Sequence, residues 1–271
     1  MSKGKFDGIL LLTDVDATLL NPNGSVPEKN IEAARRFTGL GGLLGLATGR
    51  ACDSAEILAA KCFVNAPCIV CNGASIYDVK QRRSLWDRWL PENMRNIMKY
   101  AIKRFPAVRV DAFAAPGVFE VNAGGLGTAG MERRARIIGC VSPKDVPSLC
   151  HKVVFHAPHD ALVPLEKELR ALNCSGVDYS YSGAEYFEIL PQGVNKGVAT
   201  KVLAQLLEIA PEHVVGIGDY YNDIEMLRQA HIGAAPADAL EEVRRAADIV
   251  VCGCSEGAVA DLIAKLDEIF K

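Results

Sequence analysis

The sequence predicts an α/β protein, a doubly wound parallel sheet with an α+β unit inserted into it. Three observations carry that expectation. Short apolar runs near residues 9–13, 43–47 and 214–217 each stop abruptly at polar or small residues and give way to helical spacing, the alternation of strand and crossover helix. Between about Lys80 and Pro191 the alternation is replaced by short strand-like pieces mixed with amphipathic stretches. Beyond Pro191 the first rhythm returns, so residues 1–80 and 191–271 are expected to form one core and 81–190 an insertion with its own sheet.

The chain opens with Ile9-Leu10-Leu11-Leu12-Thr13, too short for a helix and apolar on both faces, as a buried parallel strand requires. Asp14 and Asp16 follow. In an extended chain their side chains point to one side and that of Val15 to the other. Two carboxylates at a buried strand end repel unless a cation lies between them, and Mg²⁺, which takes carboxylate oxygens and phosphate, fits that demand. Taken alone, the pair also fits a simple turn cap. Asn21-Pro22-Asn23-Gly24 then marks a turn, and Pro27 opens a helix whose Ile31, Ala34 and Phe37 share one face up to Gly41. The strand at 43–47 ends in Thr48-Gly49-Arg50, a hydroxyl and a bare backbone before the next helix, which suits a phosphate. The strand after that ends in Asn72-Gly73.

In the insertion, strand-like pieces at 108–110, 118–121, 153–156 and 185–190 accompany amphipathic stretches at 91–104 and 160–172. Gly124-Gly125-Leu126-Gly127-Thr128 lacks the preceding strand and the spacing of a nucleotide loop, and reads as a plain loop. Lys196 stands at the first turn of a helix through Val202, Leu206 and Leu207. The strand at 214–217 ends in Gly218-Asp219, and Asn222-Asp223 opens the helix after it. Strands at 232–234 and 249–251 and an amphipathic last helix close the core. Every acidic cluster thus sits at the C-terminal end of an expected parallel strand, where open α/β sheets bind their ligands.

Composition narrows the function. A chain of 271 residues, 49% hydrophobic and 23% charged, is long enough for a real core. Its 30 basic residues against 33 acidic ones, net charge −3, give no field for nucleic acid or an anionic membrane. No apolar segment opens the sequence and no 18-residue apolar run occurs, so a cytoplasmic protein with no membrane partner is expected. The 9 cysteines, an odd number lying mostly in apolar runs, read as reduced thiols. Cys68 with Cys71 and Cys252 with Cys254 lack a histidine at zinc-finger spacing.

Asp14-x-Asp16-x-Thr18, Thr48 before Gly49-Arg50, Lys196, and Gly218-Asp219 with Asn222-Asp223 resemble, in order and spacing, the four motifs of the haloacid dehalogenase superfamily. The place and size of the insertion resemble the Cof-type sugar-phosphate phosphatases, whose large α/β cap (type IIB) lies between the second and third motifs. The resemblance implies a Rossmann-like core, about 6–80 and 191–271, beneath a cap that sets substrate specificity. It implies a Mg²⁺-dependent phosphatase of small phosphorylated metabolites, sugar phosphates foremost, working through an aspartyl phosphate. By the same resemblance Asp14 is the nucleophile and Asp16 the acid and then the base. Asp14, the backbone carbonyl of Asp16, and Asp219 would hold the metal. Thr48 and Lys196 would hold the transferring oxygens, with Thr18, Gly49, Arg50, Asn72 and Gly73 binding substrate. Asn222 and Asp223 would orient the metal's waters and Lys196. A phosphomutase would keep the same pocket, and a non-catalytic binding module the same fold, although the full acidic set argues against the latter. A monomer or weak homodimer is expected. One departure is Ala17, where the family usually has glycine; its methyl enters a tight turn.

Overall fold

The computed structural model describes residues 4–125 and 136–270, and in it Leu10–Thr13 (β1) is buried throughout. Leu126, Gly127 and Thr128 of the glycine-rich loop lie outside the described residues. Alternate side chains of β1 serve two different helical layers. Leu11 packs with Ala34 and Phe37 of α1 (Glu28–Gly39), Ala55 and Leu58 of α2 (Cys52–Lys61), and Val259 and Leu262 of α8 (Ala258–Ile269). Leu10 and Leu12 join Leu203 of α5 (Lys196–Leu206), Met226 of α6 (Ile224–Gln229) and Val243 of α7 (Glu241–Ala246). Helices on both faces explain why the strand is apolar at every position, and each fully buried leucine contributes roughly 1.5–3 kcal/mol.

The parallel sheet runs in the order β14 (Ile249–Val251), β13 (Ile232–Pro236), β12 (Val214–Ile217), β1, β2 (Leu43–Leu46). A parallel bridge between Ala47 and Ile69 brings β3 (Cys68–Val70) alongside. On β3 sits an antiparallel hairpin, β4 (Ser75–Asp78) and β5 (Arg83–Asp87), with Asp78 opposite Arg83. The crossing placed near Lys80 by the sequence is therefore the tip of a hairpin that stays with the core. The chain leaves at 88–90, where Arg88 N–H donates to the Ala74 carbonyl and Leu90 N–H to that of Cys150.

The cap is a six-stranded sheet in the order β10 (Val177–Gly183), β11 (Tyr186–Pro191), β9 (Cys150–His156), β6 (Arg109–Ala114), β7 (Gly117–Asn122), β8 (Ile137–Cys140). All its pairs are antiparallel except β7 with β8. One face is covered by α3 (Met94–Arg104) and α4 (His159–Ala171), whose Met98, Ala101, Leu165 and Leu169 pack with Val153, Phe155, Phe187 and Ile189. The intervening residues Val154, Tyr186 and Leu190 point the other way and join the core's cluster, so strand alternation itself docks cap on core. β6, β7, β9, β11, α3 and α4 overlap the segments that the sequence marks. The sequence did not disclose β4, β5, β8 and β10, although β10 alternates Val177, Tyr179 and Tyr181 in a period-two pattern. Among the described residues no helix is long and apolar enough to cross a membrane. All the cysteines are free thiols.

Candidate active site

Strand register builds the site. Thr13 of β1 lies opposite Ile217 of β12, and Asp14 N–H continues the ladder by donating to the Ile217 carbonyl at 2.8 Å. Two adjacent strands end together, so Asp14 and Asp219 emerge side by side. The chain after Asp14 turns sharply through Ala17, whose φ of +59° is in the left-handed region that suits glycine. That turn returns Thr18 beneath β12, where its hydroxyl donates to Asp219 Oδ1 at 2.9 Å.

Lys196 is the first residue of α5, behind an Asn195 cap that accepts from Val198 N–H at 2.8 Å. Its ammonium is fully buried and donates to Asp14 Oδ1 and Asp223 Oδ1, each at 2.6 Å. The other oxygen of Asp223 accepts the backbone N–H groups of Asp219 and Tyr220, at 3.1 Å each, which folds the acidic loop back on itself. Burial opposes the charge on Lys196, yet Asp14 and Asp223 together hold its pKa above the usual lysine range.

The carboxylates show the opposite balance. Burial pushes the Asp14 carboxyl up to about 7; Lys196 works against that shift, while Asp223 and Asp16 add to it. Burial, then the charges of Asp14 and Asp223, lift Asp219 to about 8, against the pull of Thr18 and Lys196. One lysine does not compensate this much buried negative charge. Oxygens of Asp14, Asp219 and Asp223 lie within 4.8 Å of one another, and an all-oxygen donor set of this kind fits a hard divalent cation such as Mg²⁺. Both oxygens of Asp223 already have donors, so Asp14 and Asp219 are the carboxylates suited to hold one.

The remaining residues singled out by the sequence have specific partners. Asp16 is gripped by a two-pronged Arg50 fork, Nε to Oδ2 at 3.1 Å and Nη2 to Oδ1 at 2.7 Å. Arg50 also donates to Ser54 Oγ at 3.2 Å. Thr48 is buried, and its Oγ1 accepts the Arg50 backbone N–H at 3.1 Å. Asn72, expected at the phosphate, donates to Glu188 of the cap at 2.7 Å and accepts from Asn222 at 3.0 Å. Gly73 packs against the Asn195–Lys196 backbone.

A cavity of about 180 Å³ stands over Asp14, walled by Asp16, Gly49, Arg50, Asp219 and Tyr220 of the core and by Ser182 and Gly183 of the cap. Neither Ser182 and Gly183 nor the buried Lys152–Glu188 pair behind them was found from the sequence. The available signal was Glu188 itself, one charge inside the apolar run Tyr186-Phe187-Glu188-Ile189-Leu190, where a carboxylate demands a buried partner.

A strand-end pair of aspartates, a lysine between two carboxylates and a second acidic loop on the neighbouring strand define a hydrolase site of one family. Residues 11–263 match the haloacid dehalogenase-like hydrolases, and the chain belongs to that family. Among curated proteins it is 26% identical over 277 residues to the chloroplastic endoribonuclease YBEY of Arabidopsis thaliana, covering 96% of this chain and 46% of that protein. It is 34% identical over 95 residues to the HMP-PP phosphatase of Yersinia pseudotuberculosis, covering 35% of each chain. The chain thus spans less than half the length of these curated relatives. The HAD subclass IIB sugar phosphatase BT4131 shares the fold, with a TM-score of 0.82 at 18% identity over 95% of this chain and 98% of the other.

Proposed function

We propose that the protein is a phosphatase that hydrolyses small phosphate monoesters, sugar phosphates among them, through an aspartyl phosphate on Asp14. Mg²⁺ would be held by Asp14, Asp219 and the backbone carbonyl of Asp16. The observation that carries this reading is the buried Asp14–Lys196–Asp223 chain on the floor of the cavity, with Asp219 beside it. Phosphoryl transfer needs little more than an in-line nucleophile and fixed charge around the transferring oxygens. Asp14 attacks phosphorus, the bond to the ester oxygen breaks, and Asp16 gives that oxygen its proton. Asp16 then takes a proton from water as the water attacks phosphorus, which frees Asp14 and releases inorganic phosphate. Arg50 holds the Asp16 side chain at the cavity wall, one oxygen leaving the fork to carry the proton, and Lys196 balances the charge on the nucleophile. When bound, the cation compensates the charge that Lys196 leaves over.

The size of the cavity supports a small leaving group, and Ser182 and Gly183 support a cap that covers it during turnover. The names of the phosphatase relatives favour phosphate esters. An RNA substrate, as the Arabidopsis protein's name would suggest for that protein, has no support in a chain with 30 basic and 33 acidic residues. The test is released phosphate from a panel of phosphorylated metabolites with Mg²⁺. Turnover should require the metal and vanish in Asp14→Asn with the fold intact. Turnover after exhaustive chelation, or substantial hydrolysis by Asp14→Asn, would overturn the assignment.

A further inference from the structure

Glu188 of β11 and Lys152 of β9 are 1% and 2% exposed, and they form an ion pair of 2.8 Å between Lys152 Nζ and Glu188 Oε1. The ammonium also lies 4.6 Å from the centre of the Phe113 ring. Burying such a pair gives little stability, because replacing one with well-packed apolar residues is often neutral or favourable. Its geometry offers something that apolar residues lack. Glu188 accepts from two sides of the interface at once: Ser182 Oγ, in the cavity wall of the cap, donates to Oε1, and Asn72 Nδ2, at the end of β3 in the core, donates to Oε2 at 2.7 Å. Asn72 in turn accepts from Asn222 at 3.0 Å, and Asn222 immediately precedes Asp223, which holds Lys196 and the Asp219 and Tyr220 amides. Gly49 leaves room for this arrangement, since a Cβ there would stand 3.0 Å from both amide atoms of Asn72.

We infer that Glu188 is a positioning residue: its carboxylate registers the cap over Asp14 through Ser182 and fixes the acidic loop through Asn72 and Asn222. Lys152 donates to Oε1 and pairs the buried charge, so that the carboxylate meets donors from both sides of the interface. The catalytic consequence rests on the phosphatase reading above; the geometric one does not.

Two variants and two readouts test it. Glu188→Gln keeps the shape and loses acceptor capacity. Lys152→Met/Glu188→Leu keeps apolar packing, offers Asn72 no acceptor, and carries the test if the first variant does not fold. In amide hydrogen exchange without substrate, the peptide spanning 218–223 should exchange faster in either variant, while the α8 peptide at 258–269 stays at the wild-type rate. With p-nitrophenyl phosphate, kcat should fall about tenfold or more, the scale of a displaced site, with KM little changed. Unchanged exchange at 218–223, or an equal rise in α8, would overturn the inference, as would wild-type kcat in a variant whose exchange has changed. If the wild-type protein releases no phosphate from any ester, the phosphatase reading fails, and the exchange arm still decides the role of Glu188.

Discussion

Asp14→Asn should stabilise the metal-free protein, and do so more strongly at pH 8 than at pH 5. Burial and the neighbouring carboxylates lift the Asp14 carboxyl from 3.8 to about 7. A carboxyl with a raised folded pKa binds protons more tightly in the folded chain than in the unfolded one. Its presence therefore weakens folding progressively as pH climbs from 3.8 towards 7, and the loss is complete above that. Asn at the same position carries no charge at any pH. Between pH 5 and the folded pKa lie about two units, each about 1.4 kcal/mol, so the advantage of Asn over Asp should grow by about 2–3 kcal/mol between pH 5 and pH 8. Effects of the substitution that do not depend on pH cancel in that difference. Asp219, itself pushed up to about 8 partly by Asp14, is relieved in the same variant, which reinforces the direction. For a chain of this size the gain corresponds to a difference in Tm that widens by about 5–10 °C. The assay is thermal unfolding by circular dichroism in chelator, at both pH values. Added Mg²⁺ at pH 8 should raise the wild-type Tm and narrow the gap. A difference in Tm no larger at pH 8 than at pH 5 would refute the claim that the site carries uncompensated negative charge.

Ala17→Gly should stabilise the protein by about 0.5–1 kcal/mol, the left-handed strain of roughly 1–2 kcal/mol relieved less the glycine's extra backbone entropy, without loss of kcat; a lowered urea midpoint would show that the turn is not strained. Gly73→Ala should cost about 3 kcal/mol or more, because the new Cβ would stand 2.3 Å from the Asn195 carbonyl oxygen at a φ of +98°; a urea midpoint within error of wild type would contradict the close approach. Exchanging residues 89–190 for the cap of a related phosphatase should change which phosphate ester is preferred while Asp14 remains essential, and an unchanged preference in a folded chimera would exclude a substrate-reading cap.

What the sequence disclosed follows from where its signals come from. Asp14, Asp16, Asp219 and Asp223 are legible because an apolar strand buried on both faces must stop somewhere, and its end is visible as an abrupt change in residue type, whereas Lys196, at the start of a helix, is singled out only by the resemblance to the family's motifs. β8 and β10 are harder to see because each is an outer strand of the cap sheet with half-exposed positions, so polar residues dilute the pattern. The hairpin β4–β5 was hidden for a similar reason, since its paired Arg83 and Ser84 are polar and exposed and no apolar alternation marks them. Long side chains are the least legible. Nothing in the spacing of Thr48-Gly49-Arg50 says that the guanidinium turns back onto Asp16, 34 residues earlier. The bond from Asn72 to Glu188 joins residues 116 apart, on different sheets, and no local period encodes it.

The hydrogen bond from Thr18 to Asp219 joins residues 201 positions apart in the chain. At roughly 5–20 residues per second, a ribosome spends about 10–40 s between making one and making the other. Once β2 has been made, the three leucines of β1 have it on one side, and on the other an open edge where β12 belongs. The cap strands, by contrast, are consecutive in sequence from β6 to β11 and can pair as they appear. The acidic pocket is therefore assembled only after the cap has been made, and β1 waits for β12 through all of it. A nascent chain stalled before residue 214 would present β1 as an unpaired, sticky edge, so slowing translation within the cap segment should favour aggregation, while supplying the C-terminal segment in trans should suppress it.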